Sequence, residues 1–331
     1  MKAIVMERPG SEEVLKLKEL PVPEVKSDEV LVRLKAAGVN PVDAKQRTNG
    51  PRKAISGDTV LGCDGAGVVT QVGSSASRLA EGDEVYFCYG GIGGTRGCYA
   101  EYVAVPERFV ARKPAKLSFR EAAAAPLVLI TAWEALHDRV QIKSGKRVLI
   151  LGGTGGVGHV ATQLARNSGL AVAATVGSPE KAEISLRLGA ELAILYKTTE
   201  VAESVREWSS GRGVEYLLDT VSGEFLTKAM GALAVYGKAV SILAPTKELP
   251  WRTIMSNNLG FFVELMLTPQ MLSLDDEIIR QRTVLERCAE MFDAGELEIL
   301  VEESFNLEDA REVHRRMETA STAGKLVFEM S

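Results

Sequence analysis

Histidine is scarce in this chain, with three residues among 331: His137, His159 and His314. None stands at a metal-ligand spacing such as H-E-x-x-H, and the four cysteines, Cys63, Cys88, Cys98 and Cys288, include no C-x-x-C pair. Soft ligands are too few to suggest a structural zinc, and no metal is expected. A chain of this length does not need disulfides, so the thiols read as free ones in a reducing compartment. No apolar run approaches the roughly 20 residues of a spanning helix. The start, Met1 to Pro9, turns charged before a signal-peptide core could form, which makes the cytosol the expected location. Neither sign of charge dominates. Lys plus Arg is 39 against Asp plus Glu 44, a net charge of -5 that leaves no electrostatic footprint for nucleic acid or an anionic membrane.

The remaining composition, 46% hydrophobic and 25% charged, is that of an ordinary globular protein and excludes wholesale disorder. The length suggests about two domains. Up to about Pro114 the chain reads as short strands with turn residues between them, around a glycine-rich loop at 90–97, with little helical period. The texture changes at Ser118-Phe119-Arg120-Glu121, which has capping-box spacing and opens an alanine-rich helix. A largely apolar helix is expected over 127–137. Strands and helices then alternate: 147–151, 157–168, 170–176, 179–188, 192–196, 201–208, 214–219, 223–233 and 239–244. This pattern indicates βαβ units and a parallel sheet covered on both faces. A last strand is expected at 260–267, then helices at 274–292 and 307–319 and a closing strand at 325–330.

The most informative stretch is Leu149-Ile150-Leu151-Gly152-Gly153-Thr154-Gly155-Gly156-Val157-Gly158. Gly153-x-Gly155-x-x-Gly158 falls between a predicted strand and a predicted helix. There, glycines make a tight turn, let the backbone approach a pyrophosphate and allow helix and strand to pack closely. The helix N-terminus adds unpaired N–H groups and the positive end of its dipole. Gly153, Thr154, Gly155, Gly156, Val157 and Gly158 are therefore candidate dinucleotide contacts. An NAD site normally carries an acid at the end of the next strand. Here that strand ends in Gly177-Ser178-Pro179, with Lys181 one turn on and Glu180 beside it. A hydroxyl and a cation suit a 2′-phosphate, so NADPH (the NADP form) is favoured over NADH; the alternative makes Lys181 a solvated surface lysine.

Read with the first domain, these residues resemble the medium-chain dehydrogenase/reductase superfamily, in particular its zinc-independent quinone oxidoreductases. The markers are Gly38-Val39-Asn40-Pro41-Val42-Asp43, Gly62-Cys63-Asp64-Gly65-Ala66-Gly67-Val68-Val69, Gly82-Asp83-Glu84-Val85, Thr131-Ala132-Trp133-Glu134-Ala135-Leu136, the glycine turn, and Gly324-Lys325-Leu326-Val327. The resemblance implies an α/β protein with a Rossmann doubly wound parallel sheet plus a GroES-like β-rich catalytic domain. Its expected divisions are residues 1–120, a Rossmann NADPH-binding domain at 121–268, and a segment at 269–331 returning to the catalytic domain, with the active site in the cleft. It also implies a homodimer. In the zinc-dependent branch a Cys ligand stands where this chain has Asn40, and a His ligand where it has Cys63. An amide and a lone thiol do not rebuild a three-ligand site. Without a Lewis acid an alkoxide loses its main support, which disfavours simple alcohols. A quinone or an α,β-unsaturated carbonyl compound disperses the incoming charge and needs no metal; aldehydes are further candidate acceptors. The rival readings are a zinc-dependent alcohol dehydrogenase-like enzyme and a non-catalytic NADPH-binding protein.

Asn40 and Asp43 are read on a turn after a strand, at the position that faces the nicotinamide in relatives. Asn40 is either an oxyanion donor or the Asx side chain of an Asn-Pro turn. By the resemblance Thr131 belongs near the nicotinamide, although a buried helical Thr bonding its own backbone reads the same. Tyr196 is expected against the adenine or its ribose phosphate, or else is a plain strand-end tyrosine. Thr220 and Val221 close one strand, and Leu243 and Ala244 the next, where open α/β sheets bind their ligands. Phe262 and Val263 are candidate walls for the nicotinamide. Lys325 either bears on the phosphates or is a surface residue. Loops 90–97 and 246–258 are expected to shape the pocket.

Overall fold

The computed structural model describes residues 1–50, 57–92, 96–244, 248–319 and 322–330. Residues 93–95 and 246–247, within the two loops expected to shape the pocket, lie outside the described residues. The chain divides into two compact units, Met1–Leu127 with Leu267–Ser331, and Val128–Met266.

The second unit owes its form to short apolar strands that have no polar face. Arg147–Leu151 is buried at Val148, Leu149, Ile150 and Leu151, so it must be covered on both sides, as parallel sheets are. The sheet has six parallel strands. Their order is Leu192–Leu195, Ala171–Val176, Arg147–Leu151, Val214–Asp219, Leu233–Ser241 and Gly260–Val263. In chain order this is 3-2-1-4-5-6, the doubly wound arrangement whose direction reverses beside the first strand. Leu149, Leu151, Leu217, Leu226 and Met230 belong to its core.

Departures from the expected elements have local causes. The fifth strand begins at Leu233, not 239, because an excursion between Leu233 and Lys238 interrupts the pairing, with Tyr236 at φ 63°. The last strand stops at Val263 and is followed by a helix at Thr268–Leu272, opened by Pro269 in its first turn. The helix expected over 127–137 splits into an α-helix, Pro126–Trp133, and a π-helical turn, Glu134–Arg139.

The first unit is an antiparallel sheet ordered Val301–Asn306, Lys325–Glu329, Glu29–Val39, Asp64–Val72, Glu84–Cys88 and Ala111–Arg112. The first two of these pair in parallel, and Tyr102–Pro106 pairs with Glu29–Val39. A smaller three-stranded sheet contains Lys2–Met6. Ile4, Leu34, Phe87, Tyr99 and Phe328 belong to the core. The predicted capping box forms: Ser118 Oγ accepts from the Glu121 N–H at 3.2 Å, and the Glu121 carboxylate accepts from the Ser118 N–H at 2.9 Å. A further expectation fails. Asn40 and Asp43 lie not on a turn but at the start of a helix, Pro41–Asn49, with Pro41 at its first position, where a missing N–H costs nothing.

Candidate functional site

In the second unit the carboxyl ends of the strands are stitched together by side chains. Gly152 takes φ 75°, a conformation that strains any residue with a Cβ. Its N–H donates to Thr175 Oγ1 at 2.9 Å, and the Gly153 N–H donates to the Thr175 carbonyl at 3.0 Å. On the other side Thr220 Oγ1 donates to the Leu151 carbonyl at 2.7 Å. The turn therefore rests between two threonines. The helix Gly158–Asn167 follows, and among the described residues the N–H groups of Gly156 and Val157 have no backbone acceptor. A Cβ on Gly155 would meet only the Gly152 carbonyl oxygen, at 3.4 Å, so one side of the turn is open. Free amides at a helix start beside an open backbone fit a pyrophosphate.

Asp219 fixes the neighbouring turn. It is fully buried, and its Oδ1 accepts from the N–H groups of Val221 at 3.0 Å and Ser222 at 2.8 Å. Its Oδ2 accepts from Ser241 Oγ at 2.6 Å. Ser222, at φ 68°, donates from its hydroxyl to the Ala244 carbonyl at 3.2 Å. Val221, Leu243 and Ala244 are thus held by one carboxylate and two serines, and Thr220 by its own hydroxyl on Leu151. Sequence reasoning used Asp219 only as the end of a strand; an acid inside an otherwise apolar run was the available signal.

At the ends of the second and third strands, Val176 pairs with Leu195, which sets Gly177 and Tyr196 side by side. A Cβ on Gly177 would lie 3.5 Å from the Tyr196 hydroxyl and 3.9 Å from Lys197 Cε. Ser178 caps the helix Pro179–Arg187, and its interaction with Glu180 holds that exposed carboxyl below its ordinary value. Gly177, Ser178, Lys181 and Tyr196 therefore share one corner with Lys197, a second lysine that the sequence reading overlooked although it adjoins Tyr196. Val263 pairs with Ser241, which puts Phe262 and Val263 at the carboxyl end of the edge strand. Thr131, 5% exposed, belongs to the helix Pro126–Trp133.

The first unit holds a different arrangement. Asn40, Asp43, Asp64 and Lys325 are all buried there, with Lys325 4% exposed. The register brings them together: Leu326 pairs with Val39, Gly38 with Asp64, and Asp64 with Cys88. Lys325 Nζ donates to the Val39 carbonyl at 2.7 Å and to Asn40 Oδ1. Asn40 Nδ2 donates to Asp64 Oδ2 at 2.9 Å, and Asp64 Oδ1 accepts from the Leu127 N–H at 3.0 Å. Asp43 Oδ2 accepts from the Asn40 N–H and from the Tyr99 hydroxyl, both at 2.8 Å. Burial pushes Asp43 up to about 7, against the pull of Tyr99 and the Asn40 N–H; the Asp64 charge adds to the rise. Burial pushes Asp64 up to about 6, opposed by Lys325 and Asn40.

The structure therefore joins Asn40, Asp43 and Lys325, and adds Asp64 and the Tyr99 hydroxyl. Lys325 lies inside this unit, committed to Asn40 and Val39. Asp64 stood in a quoted motif without a role, because only strand register reveals its neighbours.

Cys63, Asp64 and Cys88 are the one metal-capable cluster among the described residues, with ligand atoms within 4.8 Å of one another. The set does not fit zinc. Both Asp64 oxygens already accept hydrogen bonds, and the Asn40 amide is engaged at both ends. The Cys63 thiol is held well above its ordinary value by its contact with Cys88 and by burial. Cys88 rises to about 11, its contact with Cys63 opposing and burial favouring the rise. Zinc needs thiolates, and it would enter beside the ammonium of Lys325.

The alcohol dehydrogenase GroES-like domain family matches residues 26–115, and the zinc-binding dehydrogenase family matches residues 188–328. A 2-methylene-furan-3-one reductase of Solanum lycopersicum is 47% identical over 195 residues, covering 56% of this chain and 50% of that protein. The chloroplastic NADPH-dependent alkenal/one oxidoreductase of Arabidopsis thaliana is 38% identical over 266 residues, covering 78% and 66%. The matches thus span half to just under two thirds of these two relatives. A zinc-type alcohol dehydrogenase-like protein of Staphylococcus aureus is 30% identical over the full length of both chains. Among solved structures, an alcohol dehydrogenase superfamily protein from Novosphingobium aromaticivorans has a TM-score of 0.92 at 30% identity over both whole chains. A quinone oxidoreductase from Pseudomonas syringae has 0.86 at 27% identity over 99% of each. With a full-length relative, two matching domain families and this doubly wound sheet, the chain belongs to the medium-chain dehydrogenase/reductase superfamily.

Proposed function

We propose that this chain is an NADPH-dependent oxidoreductase that reduces a quinone or an α,β-unsaturated carbonyl compound without a metal ion. The observation that carries the metal-free reading is the Asn40 amide, taken at one end by Lys325 and at the other by Asp64. The acceptor class is supported by relatives named as an alkenal/one oxidoreductase and a quinone oxidoreductase.

Bound NADPH would supply a hydride from C4 of its nicotinamide to the acceptor. The chain's own part is positioning. The amides of Gly156 and Val157, at the start of the helix Gly158–Asn167, would hold the pyrophosphate, while Thr175 and Thr220 keep the turn in place. Ser178, Lys181 and Tyr196, with Lys197 beside them, would hold the 2′-phosphate; no carboxylate closes that strand. In the first unit Asp43, touched by the Tyr99 hydroxyl, holds a proton near neutral pH, which suits the donor that a reduced acceptor requires. Asn40 and Thr131 complete the proposed catalytic set. A homodimer through the edge strand Gly260–Val263 is part of the reading, supported by Val263 and Leu265, which are half exposed.

The test is NADPH oxidation measured against quinones, α,β-unsaturated ketones and aldehydes, together with the metal content of the purified protein. Turnover with the first two classes and zinc far below one equivalent are expected. Stoichiometric zinc with oxidation of aliphatic alcohols would restore the zinc-dependent reading. No acceptor-dependent oxidation at all would leave a binding protein.

A further inference from the structure

The buried cluster of the first unit contains two carboxyls, Asp43 and Asp64, and among the described residues Lys325 is the cation that meets it. Lys325 reaches Asn40 from 285 positions away in the chain because the strand Lys325–Glu329 pairs antiparallel with Glu29–Val39. Its ammonium ends on two oxygens, the Val39 carbonyl and Asn40 Oδ1. An amide can face either way in a pocket, and its neighbours decide which. Here the donor Lys325 requires oxygen on its side, and the acceptor Asp64 requires nitrogen on the other.

We propose that Lys325 is a positioning residue: its ammonium, seated on Val39 and Asn40, is the fixed positive charge of the buried Asn40–Asp43–Asp64 cluster and sets the direction of the Asn40 amide. The lysine occupies the electrostatic role that a metal ion would otherwise fill, which accounts for the poor fit of Cys63, Asp64 and Cys88 to zinc. It also separates Lys325 from the cofactor phosphates, the other role open to it. The inference stands on the geometry of this unit alone and does not depend on which acceptor is reduced.

The groups around the ammonium are few. Asp43 faces it from the helix Pro41–Asn49, Asp64 from its strand with Cys63 just before, and Cys88 from the strand Glu84–Cys88. The helix Phe119–Ala124 packs against the same strand with Ala122, Ala123 and Ala124 buried. On the other side, Glu302 and Glu303 of the strand Val301–Asn306 are paired with Arg316. Burial pulls Lys325 below its ordinary value, while Asp64 and Asp43 pull it back up.

The test reads the carboxyls directly, by infrared absorption of buried protonated carboxyl groups through a pH titration, and needs no substrate. In Lys325→Met the buried carboxyls lose their cation, and their titration should move up by about one pH unit or more. In Asp64→Asn the remaining Asp43 loses a like charge and should titrate below its wild-type midpoint. A lysine that merely filled space would leave the carboxyl titration unmoved when Met replaces it. Lys325→Arg keeps the charge and should restore a titration close to wild type. If Lys325→Met titrates as wild type does, the proposal fails. It fails equally if that variant weakens NADPH binding about tenfold with the carboxyl bands unmoved, because Lys325 would then serve the phosphates. Should Lys325→Met not fold, Lys325→Gln removes the same charge and is read in the same way: an unmoved carboxyl titration there overturns the proposal.

Discussion

The two units present polar groups in opposite ways. In the second, the candidate phosphate site is backbone: N–H groups of consecutive residues at one helix start, with threonines, serines and Asp219 acting as stitches behind them. In the first, the cluster is made of side chains drawn from positions 40, 43, 64, 99 and 325, all buried and all dependent on strand register. A backbone site requires that side chains be absent, and a side-chain site requires that they converge. The first should therefore be broken by adding a single carbon, the second by changing charge.

Adding that carbon at Gly158 has the largest expected effect. A Cβ there would lie 2.0 Å from the Gly152 carbonyl oxygen and 2.8 Å from its carbon, both backbone atoms with little room to move. Gly158→Ala should destabilise the second unit by more than about 4 kcal/mol, in the range that marks a specific structural fault. Thermal denaturation measures it, and a loss below about 1 kcal/mol would contradict the packing of the turn. Gly155→Ala is the sharper companion. Its Cβ has room, so the melting temperature should stay near wild type while NADPH affinity falls about tenfold or more, as the new methyl stands where the backbone would approach phosphate. Unchanged affinity in a titration would remove the pyrophosphate from this turn.

Next in size is Asp219→Ala, which strips the acceptor from two N–H groups and a serine hydroxyl in a fully buried position. Unsatisfied buried donors make a loss of about 3 kcal/mol the expectation in chemical denaturation. A neutral result would mean that the turn after this strand holds itself without the carboxylate. Smaller again is Lys181→Ala, which should weaken NADPH about tenfold and leave NADH within about twofold, the worth of one cation at a partly exposed phosphate. Equal effects on both nucleotides would assign Lys181 to the surface.

The same contrast explains what could be read from the sequence. The glycine turn, the strand-helix alternation and the capping box at Ser118 are local, and their residues carry the geometry in their spacing. Two of the later elements, 201–208 and 214–219, matched to the residue. What was missed depends on contacts between distant segments or on polar residues that break a simple period. The helix Pro41–Asn49 is short and its residues Asp43, Gln46 and Arg47 are buried polar ones, so it shows no apolar stripe. Its first turn is only half of a capping box: the Asp43 carboxylate accepts from the Asn40 N–H, while the Asn40 amide is drawn away to Lys325 and Asp64. That diversion joins the helix to the cluster, and it requires knowing that position 325 pairs beside position 39. Lys197 was missed for a simpler reason, since an exposed lysine after a strand carries no mark until its neighbour Gly177 is placed.

The smallest expected effect concerns the charge balance of the first unit as a whole. His314 is fully buried, with its ring edge-on to Tyr99 at 5.8 Å, and Arg47 Nη1 lies 3.5 Å from Nδ1. Burial, with the Arg47 charge adding, pulls it from 6.5 down to about 3. A depressed basic group favours the fold when neutral. Its contribution is complete above 6.5 and is lost as the pH falls from there toward 3, because the unfolded chain takes up a proton that the folded chain refuses. Asp43 and Asp64 act with the opposite sign. Their raised values mean that the folded chain binds protons first, so stability from them is complete below the ordinary carboxyl value near 3.8 and is lost as the pH rises through about 6 and about 7. Between 6 and 4 the two carboxyls outweigh the one histidine by about one proton, so the wild type should gain stability on acidification, by no more than about 1.4 kcal/mol per pH unit. His314→Gln removes one side of that balance while Arg47 keeps Glu318 and the Gly10 carbonyl. The variant should then gain stability relative to wild type on acidification, by less than about 1.4 kcal/mol per pH unit, the limit set by one proton. Melting curves at a few pH values read this directly. Parallel curves for the two proteins would mean that His314 titrates near its ordinary value, and that the first unit tolerates charge more freely than its buried cluster implies.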